Sequence, residues 1–235
     1  FQNGEDLYCA TASQMFHVPV VKHGINGDLR QKGKIATLAC GYGGSSGALI
    51  SMGALQMGLH EEELPEIIDS WREANPKIVQ YWWDTEKAAM TAYKTGERQE
   101  VGKIAFEFYS GTLWMVLPSG RRLAYLKPKQ QPNRFGRMSL TYEGVGQNHK
   151  WSRQETYSGR LVENATQAIA RDILAEAMDR ISAEGLNIVA HVHDEVIIEA
   201  PKGQYTVDEV CKLMSVNPAW CKGCLLYTSP SPRDA

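Results

Sequence analysis

The strongest constraint on the fold lies between Tyr157 and Glu184. Val162, Ala165, Ile169 and Ile173 share one face at helical spacing there, and Gly185 follows as a stop. At ~100° per residue, Arg160, Asn164, Gln167 and Arg171 fall within ~60° of one another on the opposite face. One long helix is expected, with an apolar back and four polar side chains in a row. The period then changes. From Asn187 to Pro201 the text reads as two apolar strands around a polar turn, His193-Asp194-Glu195. A long helix feeding a hairpin demands helices and antiparallel strands together, which is the α+β class.

Upstream the pattern is mostly helical. Leu7, Ala10, Thr11, Gln14 and Met15 predict a helix within residues 1–20, stopped at Pro19. Asn26 or Asp28 is placed to cap a second helix over Leu29 to Cys40, which Gly41, Gly43 and Gly44 end. Further apolar-periodic blocks cover Ser46 to Leu59, the stretch from Leu64-Pro65 through Ile67, Ile68 and Trp71, and Pro76 to Lys94. The adjacent Trp82 and Trp83 read as core. Phe106 to Leu117 and Arg121 to Tyr125 read as short strands joined by Pro118-Ser119-Gly120. Residues 127–155 are polar, basic and rich in Pro, Gly and Asn, and read as loop. Cys224 to Ala235, CLLYTSPSPRDA, has no structural period and resembles the translation of a sequencing-library adapter. It reads as a non-native tail. The chain begins at Phe1 without a methionine, as a fragment or a processed product would.

Composition narrows the class further. Hydrophobic residues make up 43% of the 235, enough for a sizeable core rather than a disordered chain. The net charge of −2 conceals a segregation. Arg121 to Arg160 holds nine basic residues and two acidic ones, a concentration suited to a polyanion. Five irregularly spaced cysteines do not make a disulfide framework and point to a reducing compartment. Cys221-Lys-Gly-Cys224 has no second metal pair after it. No apolar run approaches the ~18 residues of a membrane span, and no basic-then-apolar leader is present.

Three features compete to carry chemistry. Gly41-Tyr-Gly-Gly-Ser-Ser-Gly47 resembles a phosphate loop only in glycine content; it follows a helix and lacks the Gly-Lys-Ser/Thr ending. Asp194 and Glu195 offer hard oxygen ligands suited to Mg²⁺, and His191 and His193 on one strand face leave zinc open; an ordinary polar turn without metal is the plainer alternative. Arg30, Lys34, Leu38 and Tyr42, each four apart, form one slowly turning stripe. Two cations, an apolar side chain and an aromatic in that order suit a triphosphate followed by a base; a solvated basic helix face is the plainer reading.

Taken together the features resemble family A DNA polymerases, the DNA polymerase I-like group, and its phage-type members in particular. Arg30-Gln-Lys-Gly-Lys34 through Cys40-Gly-Tyr42-Gly43 resembles motif B of the fingers. Glu163-Asn164-Ala-Thr-Gln167 through Asp172 resembles the palm helix before motif C, and His193-Asp194-Glu195 resembles motif C itself. The resemblance spans residues 1–223. It implies a helical fingers subdomain over residues 1–155, a partial palm with an antiparallel sheet over 156–223, and the tail at 224–235, with the native domain truncated at both ends.

The resemblance also implies roles. Arg30 and Lys34 would hold the β- and γ-phosphates of an incoming dNTP, with Lys34 placed to protonate the leaving pyrophosphate. Leu38 and Tyr42 would complete the nucleotide site, beside the sugar and the template base. Asp194 would bind catalytic metal, one of two Mg²⁺ ions, with Glu195 beside it. Arg160, Asn164, Gln167, His193 and Gly43 would meet the DNA primer-template, largely through its minor groove, which is nearly blind to sequence. The implied setting is phage DNA replication in the host cytoplasm, without a membrane. Four departures from the family pattern stand out. The Asp-bearing motif A strand belongs just upstream of Phe1, so these 235 residues alone are expected to be inactive, and the sheet edge facing that strand is expected to be unpaired and aggregation-prone. Asn164 to Gln167 is one residue shorter than the bacterial spacing. Leu38 stands where bacterial members carry Phe or Tyr. The thumb and any exonuclease domain lie outside the sequence. Rival readings are a single-subunit RNA polymerase, whose motif C usually has Ser in place of Glu195, a non-catalytic DNA-binding fragment, and a zinc hydrolase on His191 and His193.

Overall fold

The computed structural model describes residues 5–133, 136–146, 148–224 and 226. Most of the 224–235 tail therefore lies outside the described residues. The chain divides into two compact units, Phe1–Val116 with Arg122–Asn164, and Leu117–Arg121 with Ala165–Ala235.

The first unit opens with five helices: α1 (Leu7–Phe16), α2 (Leu29–Cys40), α3 (Ser46–Ser51), α4 (Leu64–Ala74) and α5 (Pro76–Thr95). Asp6 caps α1, its carboxylate accepting from the Tyr8 and Cys9 N–H groups. For α2 neither expected cap forms. Asp28 sits at the N-cap position without a side-chain bond, and the Asn26 amide donates to the Pro19 carbonyl instead. Pro at the first turns of α4 and α5 starts both, because its missing N–H is unneeded there. Leu64, Ile67, Ile68 and Trp71, at i, i+3, i+4 and i+7, turn the α4 stripe into a core that also takes in Ile35, Ala36, Leu49 and Val162. Trp71 stacks on Trp82 with ring centres 6.0 Å apart. Trp83 is not core: it is 44% exposed and lies under the Arg137 guanidinium, 4.7 Å from ring centre. Trp83 projects ~100° around α5 from the buried Trp82, which turns it away from the core.

Six strands follow in simple meander order, all antiparallel: β1 (Gln99–Val101), β2 (Ile104–Tyr109), β3 (Thr112–Val116), β4 (Arg122–Pro132), β5 (Met138–Val145) and β6 (Trp151–Glu155). Phe106, Leu113, Met115, Tyr125 and Leu140 are buried. On the same side Tyr93 of α5 meets the edge of Phe108 at 5.3 Å. Residues 127–155 are thus largely sheet, not loop. Among the described ones only Leu140 is a buried large aliphatic; the solvent face is held by charge, with Lys127 and Arg153 both reaching Glu143 across strands. Long paired side chains stabilise strands while hiding the apolar alternation that marks them. The α+β class holds, with a larger sheet than a hairpin.

The first two turns of α6 (Ser158–Ala183) belong to this unit; its remainder belongs to the second. There Leu174, Ala177, Ile181 and Leu186 are buried. Asp172 takes bonds from Ser119 and Arg121, and Arg121 also donates to the Ala168 carbonyl at 2.8 Å. β7 (Asn187–Val192) and β8 (Glu195–Glu199) form a two-stranded hairpin. A short α7 (Val207–Met214) follows, begun by a Thr206–Glu209 capping box. No described helix is long and apolar enough to cross a membrane.

Candidate functional site

The cationic stripe is built from α1 and α2. Gly33 lies between Arg30 and Lys34, directly before the lysine, and a Cβ there would come 2.4 Å from the Tyr8 carbonyl oxygen and 2.9 Å from the Ala12 Cβ. Only glycine lets the two helices approach this closely. The approach brings Tyr8 beneath both cations: its ring centre is 5.3 Å from the Arg30 guanidinium and 5.9 Å from the Lys34 ammonium. It also brings Asp6 to Arg30, whose Nε and Nη2 meet Oδ2 at 2.9 and 2.8 Å. The Arg30 bonds, aided by two backbone N–H groups, pull the Asp6 carboxyl down to about 2. Further along α2, Leu38 is 44% exposed.

Tyr42 and Gly43 lie beyond the end of α2, and three contacts fix them. The Trp82 indole donates to the Gly41 carbonyl at 3.0 Å. Tyr42 packs half-buried on the core. Gly159, in the first turn of α6, lies so close that a Cβ would stand 1.9 Å from the Tyr42 carbonyl oxygen. Gly43 has φ 75°, which glycine adopts without strain. Nearby, Arg160 is exposed over the Tyr157 ring at 5.9 Å. Asn164 turns partly inward, donating to the Tyr125 hydroxyl at 3.0 Å. Burial pushes that hydroxyl's pKa up, so it stays protonated.

The acidic turn is built differently. His193 and Asp194 join β7 to β8, and Glu195 begins β8 opposite Val192. All three are exposed. His193 has φ 53°, a left-handed conformation that costs a non-glycine residue about 1 kcal/mol. Among the described residues neither Asp194 nor Glu195 has a salt bridge. Their oxygens suit a divalent cation in kind. In number they supply only part of a site, since no group of three His, Cys, Asp or Glu side chains is poised for a metal among the described residues. That also leaves zinc without a ligand set. His191 is occupied otherwise, with the Arg171 guanidinium 3.4–3.5 Å from its ring nitrogens. Gln167 and Arg171 are both exposed on α6. Burial pushes the Cys40 and Cys221 thiols up to about 11, which makes them poor nucleophiles at neutral pH.

Sequence reasoning found the stripe and the turn but missed Asp6, Tyr8, Gly33 and Gly159. Gly33 was in plain view, since a glycine inside a helical run signals close packing. The other three act through tertiary contacts.

The fold matches part of a polymerase POL domain. The structure matches the POL domain of Pol1 from M. smegmatis, solved in complex with DNA primer-template and dNTP, at a TM-score of 0.57 and 23% identity, over 91% of this chain and 30% of that one. In sequence the chain is 49% identical over 227 residues to a DNA polymerase of Bacillus phage SP02, covering 95% of this chain. It spans 35% of that relative's length. No family model matches.

Proposed function

We propose that the chain is part of a family A DNA polymerase of phage type, which extends a DNA primer on a template by transferring nucleotides from dNTPs. The observation that carries this reading is the Arg30–Lys34–Leu38–Tyr42 stripe, held on α2 over Tyr8, in a chain 49% identical to a phage DNA polymerase. Residues 1–155 correspond to fingers, 156–223 to part of the palm, and 224–235 to an adapter-derived tail.

Arg30 grips the β- and γ-phosphates through its planar fork, and Lys34 adds a point charge beside it. Lys34 also donates the proton that the departing pyrophosphate requires. Leu38 packs beside the sugar without the aromatic ring that Phe or Tyr would supply, so discrimination among sugars and bases shifts. Tyr42 and Gly43 lie by the template base. Arg160, Asn164, Gln167 and His193 meet the primer-template. Asp194, with Glu195 beside it, would hold Mg²⁺. An ion held there would supply positive charge to the phosphate oxygens and would lower the pKa of the primer 3′-hydroxyl. The setting is the cytoplasm of a phage-infected bacterium.

The test exchanges the matching segment of the phage SP02 polymerase for this chain. The chimera is expected to extend a DNA primer with dNTPs. A folded chimera that uses only rNTPs would favour a single-subunit RNA polymerase. One that binds DNA without extending it would favour a binding module.

A further inference from the structure

We propose that Asp6 is a positioning residue for the nucleotide site, setting the Arg30 guanidinium in the orientation that receives phosphate. The inference rests on the reading of Arg30 and Lys34 as the phosphate-binding cations.

The two Asp6 oxygens do separate jobs. Oδ1 accepts from the Tyr8 and Cys9 N–H groups, both at 3.0 Å, and so is fixed to the frame of α1. Oδ2 takes the Nε and Nη2 of Arg30. A guanidinium has two usable edges. Asp6 occupies the Nε edge, which leaves the Nη1 end to present two N–H groups to an anion. The stem cannot swing freely, because the Tyr8 ring lies under the guanidinium and the Tyr8 N–H holds the same carboxylate. Both Arg30 and Asp6 keep over a fifth of their side-chain surface exposed, so the pair is reachable from solvent. Arg30 is thus held before a ligand arrives, and the rotamer entropy of fixing it is spent in folding rather than in binding. Among the described residues Lys34 has no salt bridge to a carboxylate, so its ammonium can follow the phosphate.

Opposing this, Asp6 places a negative charge near an anion site. The geometry favours positioning, because Oδ2 engages one edge only and its charge is already matched by Arg30. Asp6→Asn separates the two possibilities. Asn keeps a cap acceptor about as good as Asp but loses the charged partner of Arg30.

The experiment measures inorganic tripolyphosphate binding by calorimetry for the 235-residue chain and three variants: Asp6→Asn, Arg30→Ala and the double variant. Circular dichroism fixes a temperature at which all are folded. Expected is binding about fivefold weaker for Asp6→Asn, weaker still for Arg30→Ala, and no further loss when Asp6→Asn is added to Arg30→Ala. Unchanged or tighter binding by Asp6→Asn, with Arg30→Ala still impaired, would overturn the positioning role alone. Equal additional loss in the double variant would show that Asp6 acts without Arg30, and would overturn it too. No binding by the wild-type chain, or full binding by Arg30→Ala, would instead overturn the parent reading of the cationic stripe.

Discussion

The two ends of the proposed chemistry are built in opposite ways. The cationic stripe is assembled in advance: helix pressed on helix at Gly33, an aromatic floor at Tyr8, a carboxylate on Arg30, and the following turn clamped by Trp82 and Gly159. The acidic turn is bare. His193, Asp194 and Glu195 are exposed at the tip of a two-stranded hairpin, and neither carboxylate has an ion-pair partner among the described residues. A group that must hold a long, flexible triphosphate gains from preorganisation. A carboxylate that must take a cation gains from having no resident cation to displace. On the proposed roles, rigidity and exposure are distributed by task.

The sharpest way to break the contrast is Asp194→Asn. In the SP02 chimera it is expected to lower primer extension by about a thousandfold, while thermal unfolding of the chain moves by less than about 0.5 kcal/mol, since the side chain is exposed. A large loss of stability would mean that the turn is structural. Gly159→Ala probes the clamped end. Its Cβ has no room against Tyr42, so unfolding free energy should fall by about 2–3 kcal/mol in urea titrations. An unchanged midpoint would show that the Tyr42 turn is loose.

A smaller effect comes from pH. The folded Asp6 carboxyl lies at about 2 against an ordinary 3.8. A depressed carboxylate stabilises the folded state above its unfolded value, and that stability is lost as pH falls through the folded one. Wild type should therefore lose more stability than Asp6→Asn between pH 5 and pH 2, by about 1 kcal/mol once solvent screening of a partly exposed pair is allowed for, read by chemical denaturation at each pH. Identical losses would mean that the Arg30 pair contributes nothing. Smallest of all is Leu38→Phe, which leaves stability within about 0.5 kcal/mol because the site is half exposed. In the chimera it should still shift the preference between dNTPs and sugar-modified analogues, and unchanged analogue incorporation would remove Leu38 from the nucleotide site.

How far the sequence revealed all this depended on the range of the forces involved. The stripe was legible because four-residue spacing on a helix is local geometry. The turn was legible because Asp194 and Glu195 interrupt an apolar run that otherwise reads as two strands. The carboxylate and ring that complete the stripe were not, since Asp6 and Tyr8 lie 22 or more positions from their cations and meet them only after α1 packs on α2. The sheet beyond Leu126 was hidden for a different reason. Lys127, Glu143 and Arg153 form a cross-strand charge network where periodicity looks for apolar alternation. Likewise, the inward turn of Asn164 could not be seen from its polar helix face, because its partner Tyr125 comes from β4.

The most direct test of the division of labour is the kinetic split between the two ends, measured as dNTP incorporation by the chimera. The account predicts that Arg30→Ala chiefly raises the dNTP KM, by about tenfold or more. Asp194→Asn should chiefly lower kcat and leave the dNTP KM within about threefold. If Asp194→Asn instead raised KM as Arg30→Ala does, with kcat preserved, the acidic turn would be a binding element and the account would be wrong.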